Sequence, residues 1–233
     1  MDTRRLREKV EHIYDALDAQ NYKQSLKLCT ALLSKSDDAL VRSLKALSLL
    51  RLGRTDESLS LCRAFIASVR EMGERASSAR GASRAAIGAH LDTAAVSTFA
   101  GVLRAAGCAQ EATALYESSY LVEAHNEDVG IALFEALMGG GDWGGAQRHA
   151  LRLYRTFGSR RYVLWAATGL VVQADAMAPA VGGGLAREAA AACVASPPLL
   201  PEQTKLLTLA AAMLKREAPQ LQGEGHQKLR SAL

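Results

Sequence analysis

Apolar residues recur at helical spacing on either side of a series of short turns. Leu44, Leu47 and Leu50 precede Gly53, and Leu59, Leu61, Cys62 and Phe65 follow it. The layout repeats with Phe99, Val102 and Leu103 before Gly107, then Leu115 and Tyr116 after. It returns with Leu133, Phe134 and Leu137 before Gly141, then His149, Leu151 and Leu153 after. Each segment carries one apolar face, which predicts pairs of amphipathic helices joined by tight turns. A small residue stands five positions beyond each turn: Gln20 with Ser25, Gly53 with Ser58, Gly107 with Ala112, Gly141 with Ala146 and, more weakly, Gly184 with Ala189. Antiparallel helices approach to about 8–10 Å only where the crossing side chains are small. Ser25, Gly53, Ser58, Gly107, Ala112, Gly141 and Ala146 are therefore the expected repeat-packing positions.

The turns lie 33, 54, 34 and 43 residues apart, a period near 34 with one large and one smaller insertion. This is the tetratricopeptide period. The expected fold is all-α, a tetratricopeptide-like solenoid of helical hairpins forming an α-α superhelix. The prolines that often end such repeats are missing at Asp37, Arg70, Ala124 and Gly158, so the repeats are degenerate. The layout predicts hairpins 1 and 2 over 1–66, an inserted flexible linker over 67–90, hairpins 3 to 5 over 91–196 with a loop at 178–184, and a terminal helix and tail over 197–233. In the terminal helix, about Glu202 to Glu217, Leu206, Leu207, Leu209, Met213 and Leu214 spread around much of the circumference. Solenoids normally end in a repeat with a polar outer face. The expectation is therefore oligomerisation or, preferably, a chain that is the amino-terminal part of a longer protein.

Composition agrees with packed helices. Of 233 residues 49% are hydrophobic but only 5% aromatic, which disfavours an all-β domain. The formal charge of +4 is too small to name nucleic acid as a partner. Cys29, Cys62, Cys108 and Cys193 are far apart, as in neither a zinc knuckle nor a secreted disulfide framework, so a reducing compartment is expected. Asp2, Glu8, Glu11 and Asp15 are unlike a transit peptide, and the most apolar stretch, Tyr162 to Ala174, is shorter than the roughly 20 residues of a membrane span. A cytoplasmic protein is predicted.

No catalytic, cofactor-binding or metal-binding residue is predicted. Gly139, Gly141 and Gly144 match Gly-x-Gly-x-x-Gly, but a helical pattern precedes them and no acid follows about 20 positions on. Arg104, Gly107 and Ala109 match an acetyl-CoA phosphate-binding pattern that also requires a preceding strand, and here they fall in a hairpin turn. His12, His90, His125, His149 and His226 form no short-spaced pair. Cys29 and Cys62 occupy equivalent repeat positions and read as small core hydrophobes.

One charge pattern stands out. Arg148, Arg152 and Arg155 share a helix face at i, i+4 and i+7, Arg160 and Arg161 follow, and no acid occurs between Trp143 and Leu170. Such a stripe suits RNA phosphates, and it also suits the ordinary solvated face of a repeat helix. Arg4, Arg5, Arg7 and Lys9 form a secondary basic set diluted by Glu8 and Glu11.

Several segments resemble the auxiliary, non-catalytic subunit of the amino-terminal acetyltransferase B complex, NatB. Arg4-Arg5-Leu6-Arg7, Ile13-Tyr14-Asp15-Ala16-Leu17-Asp18 and Asn21-Tyr22-Lys23 are similar to that family's first hairpin. Leu44-Lys45-Ala46-Leu47 with Arg51, Gly53 and Arg54 resembles the second, and Leu115-Tyr116-Glu117 the next. Asn126-Glu127-Asp128, Leu133-Phe134, Gly141, Ala150-Leu151-Arg152-Leu153-Tyr154, Tyr162 through Trp165 and Gln173 continue in order. The resemblance covers about residues 4 to 177. It implies a superhelix that wraps a catalytic acetyltransferase subunit and helps place it on the ribosome, where termini beginning Met-Asp, Met-Glu, Met-Asn or Met-Gln are acetylated. It implies no catalytic residue on this chain, no small-molecule substrate and no membrane partner. The basic stripe then becomes a candidate contact with ribosomal RNA. The alternative is a generic tetratricopeptide adaptor binding a peptide or chaperone partner, for which Lys9, Arg42 and Lys45 offer part of a carboxylate clamp.

Overall fold

A computed structural model describes residues 3–78, 91–176, 201–202 and 204–216. The described residues are helices and turns. In chain order the helices are α1 (Thr3–Asp18), α2 (Tyr22–Leu33), α3 (Ala39–Arg51), α4 (Thr55–Ser78), α5 (Thr93–Ala105), α6 (Ala109–Val122), α7 (Glu127–Gly139), α8 (Trp143–Phe157) and α9 (Arg161–Ala176), followed by a helical run over 204–216. Two compact units divide the chain, Met1–Ala136 and Leu137–Leu233.

In the first unit α2 packs on α1 and α3, α3 on α4 and α5, and α6 on α4 and α5. This is the pattern of stacked hairpins, in which each helix meets its partner and the equivalent helix of the next repeat. The start signals are local: Asn21 accepts from Gln24 N–H, Asp38 from Val41 N–H, and Asp92 from Ala94 and Ala95 N–H. Each cap satisfies amide donors that the first helical turn leaves without partners. Gln20, Gly53, Gly107 and Gly141 occupy equivalent turn positions with φ of 55°, 79°, 80° and 78°. Glycine suits this left-handed conformation, whereas Gln20 adopts it against the steric preference of an L side chain.

The residues five positions beyond these turns, Ser25, Ser58, Ala112 and Ala146, are all buried. The two serines also bond to α3. Ser58 Oγ donates to Ala46 O at 2.7 Å, while Ser25 Oγ meets Ser48 Oγ at 2.8 Å, reaching the following hairpin rather than its own partner α1. Ile13, Cys29, Leu32, Val41 and Leu44 form a core across α1, α2 and α3, and Phe65 stacks on Phe99 with ring centroids 4.4 Å apart.

One sequence expectation changes. Residues 67–78, expected at the start of a flexible linker, continue α4 without a break. The cause is an i, i+4, i+8 stripe of Phe65, Val69 and Gly73 turned inward. A Cβ on Gly73 would lie 3.7 Å from Val122, so the glycine sits under α6 rather than ending a helix. The remainder of the expected linker, 79–90, the loop at 178–184, the Gly184 and Ala189 pair and Cys193 lie outside the described residues.

In the second unit α9 packs on α8, with Gly169 facing the Trp143 carbonyl and Gln147. Ala210, Leu206 and Met213 of the 204–216 helix pack against Ala167 and Leu170 of α9, while Leu209 and Leu214 stay exposed. No described helix is long and apolar enough to cross a membrane.

Candidate functional site: the basic face of α8 and the start of α9

Helix α8 is placed by a cap that the sequence specifies closely. The Asp142 carboxylate accepts from Gly145 N–H at 2.8 Å, and a Cβ on Gly145 would collide with that carboxylate. The helix buries Ala146, His149, Ala150 and Leu153. With that stripe inward, Arg148, Arg152 and Arg155 are exposed. Among the described residues none of the three enters an ion pair or a ring contact. Arg148 Nη1 lies back along its own helix, 3.4 Å from where a Cβ on Gly144 would stand.

Gly158, at φ 70°, ends α8, and α9 begins three residues later. Arg160 is half-buried, whereas Arg161 is exposed. The Arg161 guanidinium donates to Tyr162 Oη at 2.6 Å and lies 4.8 Å from the Tyr162 ring centroid and 5.9 Å from that of Trp165. Tyr162 is fully buried and meets Trp165 edge-on at 5.2 Å, with Phe157 tilted against it at 6.4 Å. The five arginines grouped in the sequence thus fall into different settings: three solvated on α8, Arg160 half-buried in the turn, and Arg161 held against aromatic rings at the start of α9. The aromatic cluster was not foreseen. Its signal was Arg161-Tyr162 followed by Trp165 one helical turn on.

The secondary basic set is not assembled into a described site. Arg4, Arg5 and Arg7 belong to α1, but their side chains lie outside the described residues, and Lys9 is half-buried. In the partial clamp, Arg42 is paired with Asp37 at 3.2 Å. Burial pushes the Cys29 thiol up to about 11 and the Cys62 thiol to about 12, so neither is a ready thiolate near neutral pH. Gly139 closes α7, so a helix precedes the Gly139, Gly141, Gly144 series, and Gly107 joins α5 to α6.

A family model described as Psidin, N-terminal TPR repeats region, matches residues 4–182. The chain belongs to this family. Among curated proteins it is 28% identical over 166 residues to the N-terminal acetyltransferase B complex auxiliary subunit NAA25 of Arabidopsis thaliana, covering 71% of this chain and 14% of the relative. It is 26% identical over 171 residues to the N-terminal acetyltransferase B complex subunit NAA25 homolog of Caenorhabditis elegans, covering 73% of this chain and 16% of the relative. The match thus takes in about a seventh of the first relative's length and a sixth of the second's. Among solved structures, one described as "Structure of Naa15/Naa10 bound to HypK-THB" superposes with a TM-score of 0.51 and 15% identity, over 92% of this chain and 29% of that one. The likeness establishes the fold: this Psidin-family chain is a tetratricopeptide-type array of helical hairpins.

The Psidin repeat match takes in both α8 and α9 and ends before the 204–216 helix. The basic face therefore lies on repeat elements of the family region, not on an appended tail.

Proposed function

We propose that this chain is the amino-terminal repeat part of a NatB auxiliary subunit: a non-catalytic, cytoplasmic scaffold that binds the catalytic acetyltransferase subunit and helps hold it at the ribosome. The reading rests on the family match over residues 4–182, together with two curated relatives named as NAA25 subunits of the N-terminal acetyltransferase B complex, one of them as its auxiliary subunit. The stacked hairpins supply broad helix faces suited to a protein partner. The complex would acetylate nascent termini beginning Met-Asp, Met-Glu, Met-Asn or Met-Gln, with acetyl-CoA handled by the catalytic subunit. Arg148, Arg152 and Arg155 would contact ribosomal RNA, since solvated arginines along one helix face can neutralise successive phosphates.

The test is affinity purification of the tagged chain from its own cells, with and without ribonuclease, followed by mass spectrometry. Co-purification of a small acetyltransferase with ribosomal proteins, the latter lost after ribonuclease, is the expected result. Recovery of chaperones or other peptide-bearing partners without an acetyltransferase would replace this reading by the generic adaptor.

A further inference from the structure

Helices α4 and α6 pack against each other, and two contacts fix their register. Arg63 bonds to Glu111 with Nε at 3.0 Å and Nη2 at 2.9 Å, while Gly73 lies under Leu121 and Val122. Residues 63 and 111, like 73 and 121, are 48 apart, so the helices run parallel at one offset. In that register Cys108, which caps the start of α6, stands about 3 Å along the axis from Cys62 of α4. Both cysteines belong to inward stripes: Cys62 continues the buried Ser58, Phe65 and Val69, and Cys108 heads the buried Ala112, Leu115 and Ser119. Cys62 is fully buried, Cys108 is partly exposed, and both are free thiols. After burial and Glu111, Cys108 is the next cause that pushes the Cys62 thiol up, so the two sulfurs lie within electrostatic reach of each other. The Cys108 side chain caps no amide and meets only the Ala106 carbonyl, at 3.9 Å, so it can turn toward Cys62 without loss of a helix cap.

We propose that Cys62 and Cys108 are a redox-active dithiol, closed by a peroxide into a disulfide that ties α4 to α6 and reopened by thiol reductants. Cys108 is the sulfur that an oxidant reaches first. Its thiolate attacks one oxygen of hydrogen peroxide, forming S–O and breaking O–O, and the hydroxide released becomes water with the thiol's proton. The Cys62 sulfur then attacks the sulfenic sulfur of Cys108, forming S–S and breaking S–O. A second hydroxide leaves as water with the Cys62 proton. The two thiols give up two electrons, and the peroxide is reduced to two waters. Burial shields Cys62 from outside oxidants but not from a neighbouring sulfur. In a reducing compartment such a bridge is transient and reports on oxidant. The pair depends neither on the NatB reading nor on the α8 arginines.

The full chain, reduced and freed of reductant, is treated with hydrogen peroxide, unfolded in N-ethylmaleimide and mapped by mass spectrometry. The expected product is a linked pair of peptides carrying Cys62 and Cys108, lighter by two hydrogens and restored by dithiothreitol. Oxidation should also raise the urea midpoint of the chain, and dithiothreitol should reverse the shift, because the bridge closes a long loop of the unfolded chain. Cys108→Ser should abolish both the link and the shift and leave Cys62 as an unmodified thiol. Cys62→Ala should halt Cys108 at the sulfenic acid, trapped with dimedone. Circular dichroism checks that each variant folds, and peptide mapping of the unsubstituted chain decides the matter without them. A link from either cysteine to Cys193 or to a second chain in place of the Cys62–Cys108 link would overturn the proposal. So would Cys108 oxidised in the unsubstituted chain while Cys62 still takes up N-ethylmaleimide, or both thiols surviving excess peroxide.

Discussion

Arg63 in α4 and the arginines of α8 stand on helices that follow equivalent left-handed turns, Gly53 and Gly141, yet they are handled in opposite ways. Arg63 makes a two-pronged contact with Glu111 of α6, Nε at 3.0 Å and Nη2 at 2.9 Å, clasping helices from neighbouring hairpins. That hydrogen-bonded pair holds the Glu111 carboxyl below its ordinary value. Arg148, Arg152 and Arg155 meet no such acid among the described residues and are exposed. The comparison separates two uses of one residue type on one scaffold. In the first unit an arginine joins helices of the array to each other. On α8 the charge joins nothing within the described fold, so it is free to act on a partner.

That contrast can be broken most severely by removing core instead of charge. Phe99→Ala, which deletes a fully buried ring stacked on Phe65, should destabilise the first unit by about 3–5 kcal/mol in urea unfolding. A smaller loss should follow Gly107→Val: the space around Gly107 is open, so the cost is that of forcing a β-branched residue into the left-handed region, about 1–2 kcal/mol. Gln20→Gly should act in the other direction. It relieves the one non-glycine residue found at positive φ among the described residues and should raise stability by up to about 1 kcal/mol, read as a higher urea midpoint.

Charge changes come last. Glu111→Gln should lower the urea midpoint slightly at pH 7, and the difference should shrink in acid. The carboxyl is held low in the folded chain, so its contribution is fully present above its ordinary value of 4.5 and is lost progressively as pH falls from there through the lowered folded-state value. Substitution of Arg148, Arg152 and Arg155 together by Gln should shift stability by less than about 0.5 kcal/mol. A clear loss of stability in that variant would mean that the α8 arginines, like Arg63, hold the fold together.

The sequence already carried the hairpins, because Gly53, Gly107 and Gly141 each mark a turn and the small residues that follow fall where helices pack closely. The length of α4 was hidden by Gly73, which has the composition of a breaker but the spacing of a core position. Its role depends on Val122 and Leu121, nearly fifty residues away, and local periodicity contains no such partner. Arg63 with Glu111 is hidden for the same reason, since a pair 48 residues apart leaves no local trace. At the candidate site the stripe of α8 was legible because its spacing is helical. The bonding of Arg161 to Tyr162 was not, since adjacent residues on a helix do not ordinarily face each other and only the bend at Gly158 starts α9 there.

The recurring left-handed turns of the first unit bear on the speed of folding. Its helices pack on their immediate neighbours or on the next but one, so few contacts require distant segments to find each other. Low contact order of this kind shortens the search and favours fast, local folding. During synthesis each hairpin can close at its own Gln20, Gly53 or Gly107 turn as soon as its second helix is available, and the preceding hairpin then serves as the template on which it docks.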